Sequence, residues 1–174
     1  MERIAIISVG LVVWMNGIGF YLAAMLTDFW MVAESDRSGG SVGLFKSCGP
    51  NPNDAFCNNQ SWDPNEITLT IFLPRIIMLL AGGLLGIGMV SGLFGLLSRK
   101  HAFFVGERVL DVFAGLLIFV ACGAFTGLHI KDVTKGGPFF IYTYHFSFYM
   151  AWISGIMLVI SGVIGVFARN QDTD

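Results

Sequence analysis

Cys48 and Cys57 are the residues of this chain best placed to form a covalent bond. They share one long polar stretch, residues 27–70, that contains no histidine and no further cysteine. Two reduced thiols or half of a metal site would be the alternatives to a disulfide, and the missing ligands speak against metal. In a luminal loop the pair would oxidise during secretion, closing about ten residues and contributing roughly 2 to 4 kcal/mol. Asn59-Gln60-Ser61 in the same stretch is a glycosylation sequon, with Asn59 as the candidate acceptor. Other reactive types are scattered. His101, His129 and His145 fall in three different places, so they cannot gather a metal or pair with one nucleophile. The chain has no Cys-x-x-Cys pair, no glycine-rich phosphate loop and no His-x-x-x-His helix, and Cys122 stands alone in apolar sequence as a small packing residue. No catalytic residue, metal or cofactor is expected, and no nucleic-acid partner.

The elements that carry the cysteine loop are membrane-spanning. Of the residues, 55% are hydrophobic and 13% charged, and the mean hydropathy of +0.71 lies outside the range of soluble domains. Four apolar stretches, residues 4–26, 71–97, 109–130 and 146–168, are each long enough to cross a hydrocarbon core of about 30 Å. The first is longer than a signal-peptide core and follows the weakly basic Met1-Glu2-Arg3, so it reads as a retained helix. Loops of residues 27–70 and 131–145 then lie on one side, with residues 98–108 and both termini on the other. The turn Ser98-Arg99-Lys100-His101, with Arg108 and Arg169, puts compact positive charge on the terminal side, which is therefore expected to be cytoplasmic. Arg37, Lys46, Lys131 and Lys135 oppose that vote, and the cysteine pair restores it.

Within the first loop, residues 29–33 and 42–47 have the β-branched and aromatic content of strands, divided by a turn at Ser38-Gly39-Gly40. The cluster Gly49-Pro50-Asn51-Pro52-Asn53-Asp54 would let the cysteines face each other across a hairpin. In the second loop, residues 139–144 follow Gly136-Gly137-Pro138 and read as another strand. A two-stranded ribbon is marginal alone, so both loops are expected to share one small antiparallel sheet above the membrane. Trp14, Trp30, Tyr142, Tyr144, Tyr149 and Trp152 include several rings suited to the membrane surface.

Thr27-Asp28-Phe29-Trp30, then Gly43-Leu44-Phe45, Cys48 and Cys57, then Arg75 at the start of the second span together resemble the signature of the claudin superfamily. That family includes the peripheral myelin, epithelial membrane and lens-fibre membrane proteins and the calcium-channel gamma subunits. The segment Tyr144 to Trp152 is more similar to the myelin, lens and gamma branches than to junctional claudins. The resemblance implies a tetraspan four-helix bundle topped by a small extracellular sheet, with Trp30, Gly43, Leu44, Phe45 and Arg75 as structural signature residues. Phe45 stands where the family has tryptophan and loses its N–H donor. The tail, Arg169 to Asp174, lacks the hydrophobic terminal residue of a PDZ ligand, so no PDZ scaffold is expected as a partner.

Small residues at helical spacing, Gly82/Gly86, Gly88/Gly92, Gly123/Gly127 and Ser161/Gly165, predict close packing inside one bundle, with a helix-mediated oligomer as the sharper alternative. Arg75 lies near the outer boundary, where it could snorkel outward or bond loop carbonyls and brace the sheet. Glu107, Arg108 and Asp111 cluster at the inner end of the third span, the last two at the spacing of a helical ion pair.

These features predict a non-enzymatic plasma-membrane protein acting through its disulfide-pinned sheet in cell-cell adhesion, junction formation or membrane organisation. An auxiliary subunit that tunes the gating or trafficking of a channel or receptor is the alternative. The expected partners are membrane lipid and either another copy, in cis or in trans, or that larger channel or receptor. Asp28, Glu34, Asp36, Asp54, Asp63 and Glu66 outnumber Arg37 and Lys46 in the first loop. A solvated face explains this balance most simply, and in a paracellular pore it would favour cations.

Overall fold

A computed structural model describes residues 2–34, 40–48, 57–63, 67–98, 101–134 and 141–170. Among them, four helices run over Glu2–Leu26 (α1), Leu69–Ser98 (α2), His101–Thr134 (α3) and Phe146–Asn170 (α4). Each contains a segment long and apolar enough to cross a membrane: Ser8–Leu26, Leu69–Gly95, Val105–Ile130 and Phe146–Phe167. Around the bundle, α1 packs on α4, α4 on α3 and α3 on α2. The ring closes through one polar contact, where the Tyr21 hydroxyl of α1 donates to the Met78 carbonyl of α2 at 2.7 Å.

What drives these helices together differs from a soluble core, because lipid is as apolar as leucine and only packing and hydrogen bonds distinguish the two sides. The interior accordingly mixes small and polar side chains with large apolar ones. On α4 the fully buried positions are Ser147, Ala151, Ser154, Leu158 and Ser161, alternate steps of four and three residues. Asp111, Ala114, Ile118, Ala121 and Phe125 repeat the alternation on α3. An inward stripe that recurs every 3.5 residues is the pattern that keeps helices in register in a left-handed supercoil. The α4 serines then reach α1 in turn. Ser147 Oγ lies 2.6 Å from Thr27 Oγ1, Ser154 donates to Gly17 O at 2.8 Å, and Ser161 donates to Gly10 O at 3.1 Å.

Helices α3 and α4 approach closely. A Cβ added at Gly115 would lie 2.9 Å from Gly155 O, and one added at Gly155 would lie 3.3 Å from Gly115 O and 2.8 Å from the Phe119 ring. Of the expected small pairs, Gly82 lies under the Tyr21 ring, while Gly88 and Gly92 face Glu107 and Gly165 faces Arg108. Gly86, Gly123 and Gly127 do not pack inside the bundle; they are exposed, with nothing within 4 Å of an added Cβ. Spacing alone could not assign their face, since every face of these helices is apolar.

Strands Met31–Glu34 (β1), Ser41–Val42 (β2), Lys46–Cys48 (β3), Cys57–Asn59 (β4) and Ile141–Tyr144 (β5) form one sheet in the order β4-β3-β2-β1-β5. All pairs are antiparallel, and β1 meets β5 with Met31 opposite Tyr144 and Glu34 opposite Ile141. The single strand expected at 42–47 is instead a hairpin. Val42 pairs with Ser47, and Gly43-Leu44-Phe45 turns between them, closed by Gly43 N–H to Lys46 O at 2.8 Å. The strand expected at 29–33 starts two residues later, and that of 139–144 is described from Ile141. Residues 38–39 of the turn expected at Ser38-Gly39-Gly40, the turns expected at 49–54 and 136–138, and the tail from 171 lie outside the described residues.

Residues 98–108 were expected to form a loop, but α3 already runs from His101. Charge at Glu107 and Arg108 suggested the membrane boundary, yet both side chains are held inside the bundle, so the helix has no cause to stop. Residues 99–100, part of the expected basic turn, lie outside the described residues. At its other end α3 continues to Thr134, past the expected limit at 130.

Gly115→Val should force α3 and α4 apart, an overpacking cost of about 1–3 kcal/mol. Gly123→Val, on the exposed face, should leave stability within about 0.5 kcal/mol. Thermal unfolding of both variants in detergent tests this, and equal losses would contradict the assigned helix faces.

Candidate functional site

Arg75 lies in the second turn of α2, directly after Pro74. The guanidinium is fully buried and turns to the first loop. Nε donates to Leu44 O at 2.6 Å, one terminal nitrogen to Ser61 O at 2.9 Å and the other to Gln60 Oε1 at 3.1 Å. Two aromatic rings that also touch each other pack against it, with Cζ 5.3 Å from the centre of Phe45 and 4.8 Å from that of Trp62. Gln60 extends the network, its side-chain amide donating to Gly43 O at 3.0 Å and its backbone N–H to Phe45 O at 2.8 Å. Two of the loop's own carbonyls, those of Leu44 and Ser61, and the Gln60 side chain are thereby tied to a single residue of α2.

The turn that receives Arg75 is shaped by Gly43. An added Cβ there would come 2.6 Å from Asp28 Cα and 3.0 Å from Thr27 O, so the hairpin lies directly on the end of α1. Leu44 follows, fully buried, and points into the same core as Trp30. Trp30 donates its indole N–H to Ala24 O at 2.7 Å, satisfying one of the free carbonyls at the end of α1. Its ring meets Phe125 of α3 and Phe148 of α4 edge-on, at 5.1 and 5.9 Å. The backbone of Trp30 and its neighbour is shared as well. Trp30 N–H donates to Val42 O, His145 N–H to Trp30 O, and Ser147 N–H, in the first turn of α4, to Phe29 O. Sheet and bundle are thus one hydrogen-bonded body.

Cys48 and Cys57 are directly opposite in the β3–β4 pair and joined by a disulfide, with Cα atoms 4.1 Å apart. Asn59 ends β4 on the exposed edge, opposite Lys46. Phe45 is half-buried and acts as a lid on Arg75, a role that needs a ring but no N–H donor. Tyr144 stacks on Phe148 at 4.6 Å, and burial pushes its phenol above the ordinary value, offset in part by the Thr126 hydroxyl. Of the rings expected at the membrane surface, Trp30 is wholly interior and Trp14 lies within the span Ser8–Leu26, 5.8 Å from Arg108 Cζ, whereas Tyr149 is exposed. Gln60, Ser61 and Trp62 were not singled out from sequence. Their proximity to the second cysteine was the available signal.

A second polar cluster lies at the other end. Arg108 approaches Asp111 at 3.3 Å, Glu107 at 4.0 Å and Ser161 Oγ at 3.5 Å. Trp14 Nε1 faces Asp111 without an ordinary hydrogen-bond geometry. Glycines make room for these chains: a Cβ at Gly92 would sit 2.5 Å from Glu107 Oε2, and one at Gly165 2.5 Å from Arg108 Cδ. His129 packs on Phe125 and Tyr144, and His145 on Phe29 and Phe146, in separate ring clusters.

Arg75→Met should leave the carbonyls of Leu44 and Ser61 buried without donors and cost about 3–5 kcal/mol. Arg75→Lys, lacking the planar fork, should recover less than half of that loss. Thermal unfolding in detergent is the measurement, and full rescue by lysine would show that charge rather than the three-way bonding matters.

No curated protein matches the chain in sequence. A family comparison does match, over residues 3–165, from the first turn of α1 to the last turns of α4, so that all four helices and the sheet fall inside it. With the disulfide-linked hairpin, the arginine brace and four membrane-length helices in place, the chain belongs to the PMP-22/EMP/MP20/Claudin family of multi-pass membrane proteins.

Proposed function

We propose that this protein is a non-enzymatic component of cell–cell contacts, acting in adhesion, junction formation or membrane organisation through its sheet. The observation that carries the reading is the fusion of both loops into one sheet that is bolted to the bundle by Arg75 and Trp30. A surface held in this way presents a fixed arrangement of side chains, so little ordering entropy is lost when it meets a partner. Its outer edge, β4, carries exposed Cys57, Asn58 and Asn59.

The same residues support the sidedness. A disulfide persists in an oxidising compartment, which supports an extracellular sheet at the plasma membrane with both chain termini in the cytoplasm. Asn59, exposed at the end of β4, is then open to glycosylation. The alternative role, an auxiliary subunit of a channel or receptor, draws its support from the outward glycines Gly83, Gly86, Gly123 and Gly127, which leave helix backbone open to a neighbouring helix.

Tagged protein expressed in cells without junctions should concentrate where two expressing cells touch and not where an expressing cell meets a non-expressing one. Uniform surface staining would refute trans adhesion and favour the auxiliary reading, which copurification of a channel or receptor in mild detergent would then establish.

A further inference from the structure

Asn16 lies close to the middle of the span Ser8–Leu26, yet its side chain is on the exposed face of α1. The surrounding exposed residues are Val12 and Met15, each 60% accessible, and Gly19, where an added Cβ would meet nothing within 4 Å. One amide N–H is used, donating to Val12 O at 2.7 Å. The amide oxygen and the second N–H have no partner among the described residues. Hydrocarbon offers none either, and an amide left unsatisfied there is costly. Elsewhere among the buried polar residues of the bundle, serines and Tyr21 are bonded to neighbouring helices.

We propose that the α1 face formed by Val12, Met15, Asn16 and Gly19 is a dimer interface with a second copy of this chain in the same membrane. A carboxamide is donor and acceptor at once, so across a two-fold axis each Asn16 can donate its free N–H to the other's oxygen. An identical copy therefore supplies the missing groups without any further polar residue. Gly19, one turn along, leaves the backbone bare where the helices cross and lets them approach closely. The inference rests on α1 spanning the membrane and is independent of the adhesive role.

The test is dimerisation of the full chain in lipid vesicles, followed by energy transfer between labelled copies as the protein-to-lipid ratio is varied. Wild type should dimerise, N16L should weaken association about tenfold, and N16Q should retain most of it. Because Asn16 is exposed, N16L should unfold at the wild-type temperature or above. As a second arm with Asn16 intact, cysteines replacing Val12 or Gly19 should crosslink between copies, whereas one replacing the exposed Val90 of α2 should not. Association unaffected by N16L, crosslinking through position 90 in place of 12 and 19, or a wild-type chain that stays monomeric until a different membrane protein is added would each overturn the proposal. A single membrane is used throughout, so failure here leaves contact between cells untouched.

Discussion

The buried guanidinium of Arg75 sets the terms for the rest of the sheet end. A permanently charged group inside a membrane-length helix is tolerated only with acceptors in good geometry. Leu44 O, Ser61 O and Gln60 Oε1 meet that demand, and each comes from the first loop. The acceptors can be there only if Gly43-Leu44-Phe45 turns sharply, which requires the absence of a side chain at Gly43. The turn in turn pairs β2 with β3, and the disulfide pairs β3 with β4. A charge that would be a liability alone thus dictates the path of the chain through a loop with few apolar residues of its own.

Below the sheet the usual core logic is inverted. Large apolar side chains such as Leu80, Ile87, Phe94 and Phe113 are more than half exposed, as a lipid solvent allows, and the interior holds serine, alanine and glycine beside Met78, Ile118, Phe125 and Leu158. Stability then comes from close approach and hydrogen bonds between helices. The contacts Ser154 to Gly17 O and Ser161 to Gly10 O show how a hydroxyl without another helix beside it would be lost in hydrocarbon. The same logic explains the other end, where Arg108 and Asp111 pair inside the bundle and α3 passes through them without a break.

That inversion decides what could be read from the sequence. The spans were legible because length and hydropathy suffice, and the cysteine pair and Trp30 stood out against their loop. Facing was not legible. With apolar residues on every side, Gly88 and Gly123 look alike, though one lies against α3 and the other is open. The informative signal was the spacing of the α4 serines, 147, 154 and 161, a polar heptad hidden in apolar sequence. Charge misled in the opposite way: Glu107 and Arg108 suggested a boundary because the glycines of α2 and α4 that make room for them become neighbours only in the folded bundle. The hairpin at 43–45 was read as a strand because β-propensity describes residue types and cannot register that Gly43 must touch Asp28.

The brace also divides labour between two kinds of surface. Arg75 and Trp30 are themselves buried, so both are spent on holding the sheet to the bundle. They are unavailable for recognition. Specificity must then lie in residues free of that duty: the exposed edge of β4, the rim around Trp62, and the lipid-facing helix surfaces where polar or small residues interrupt the apolar coat. Members of one family can therefore keep the same brace and meet different partners, because the scaffold fixes where a contact surface is held and leaves its chemistry free.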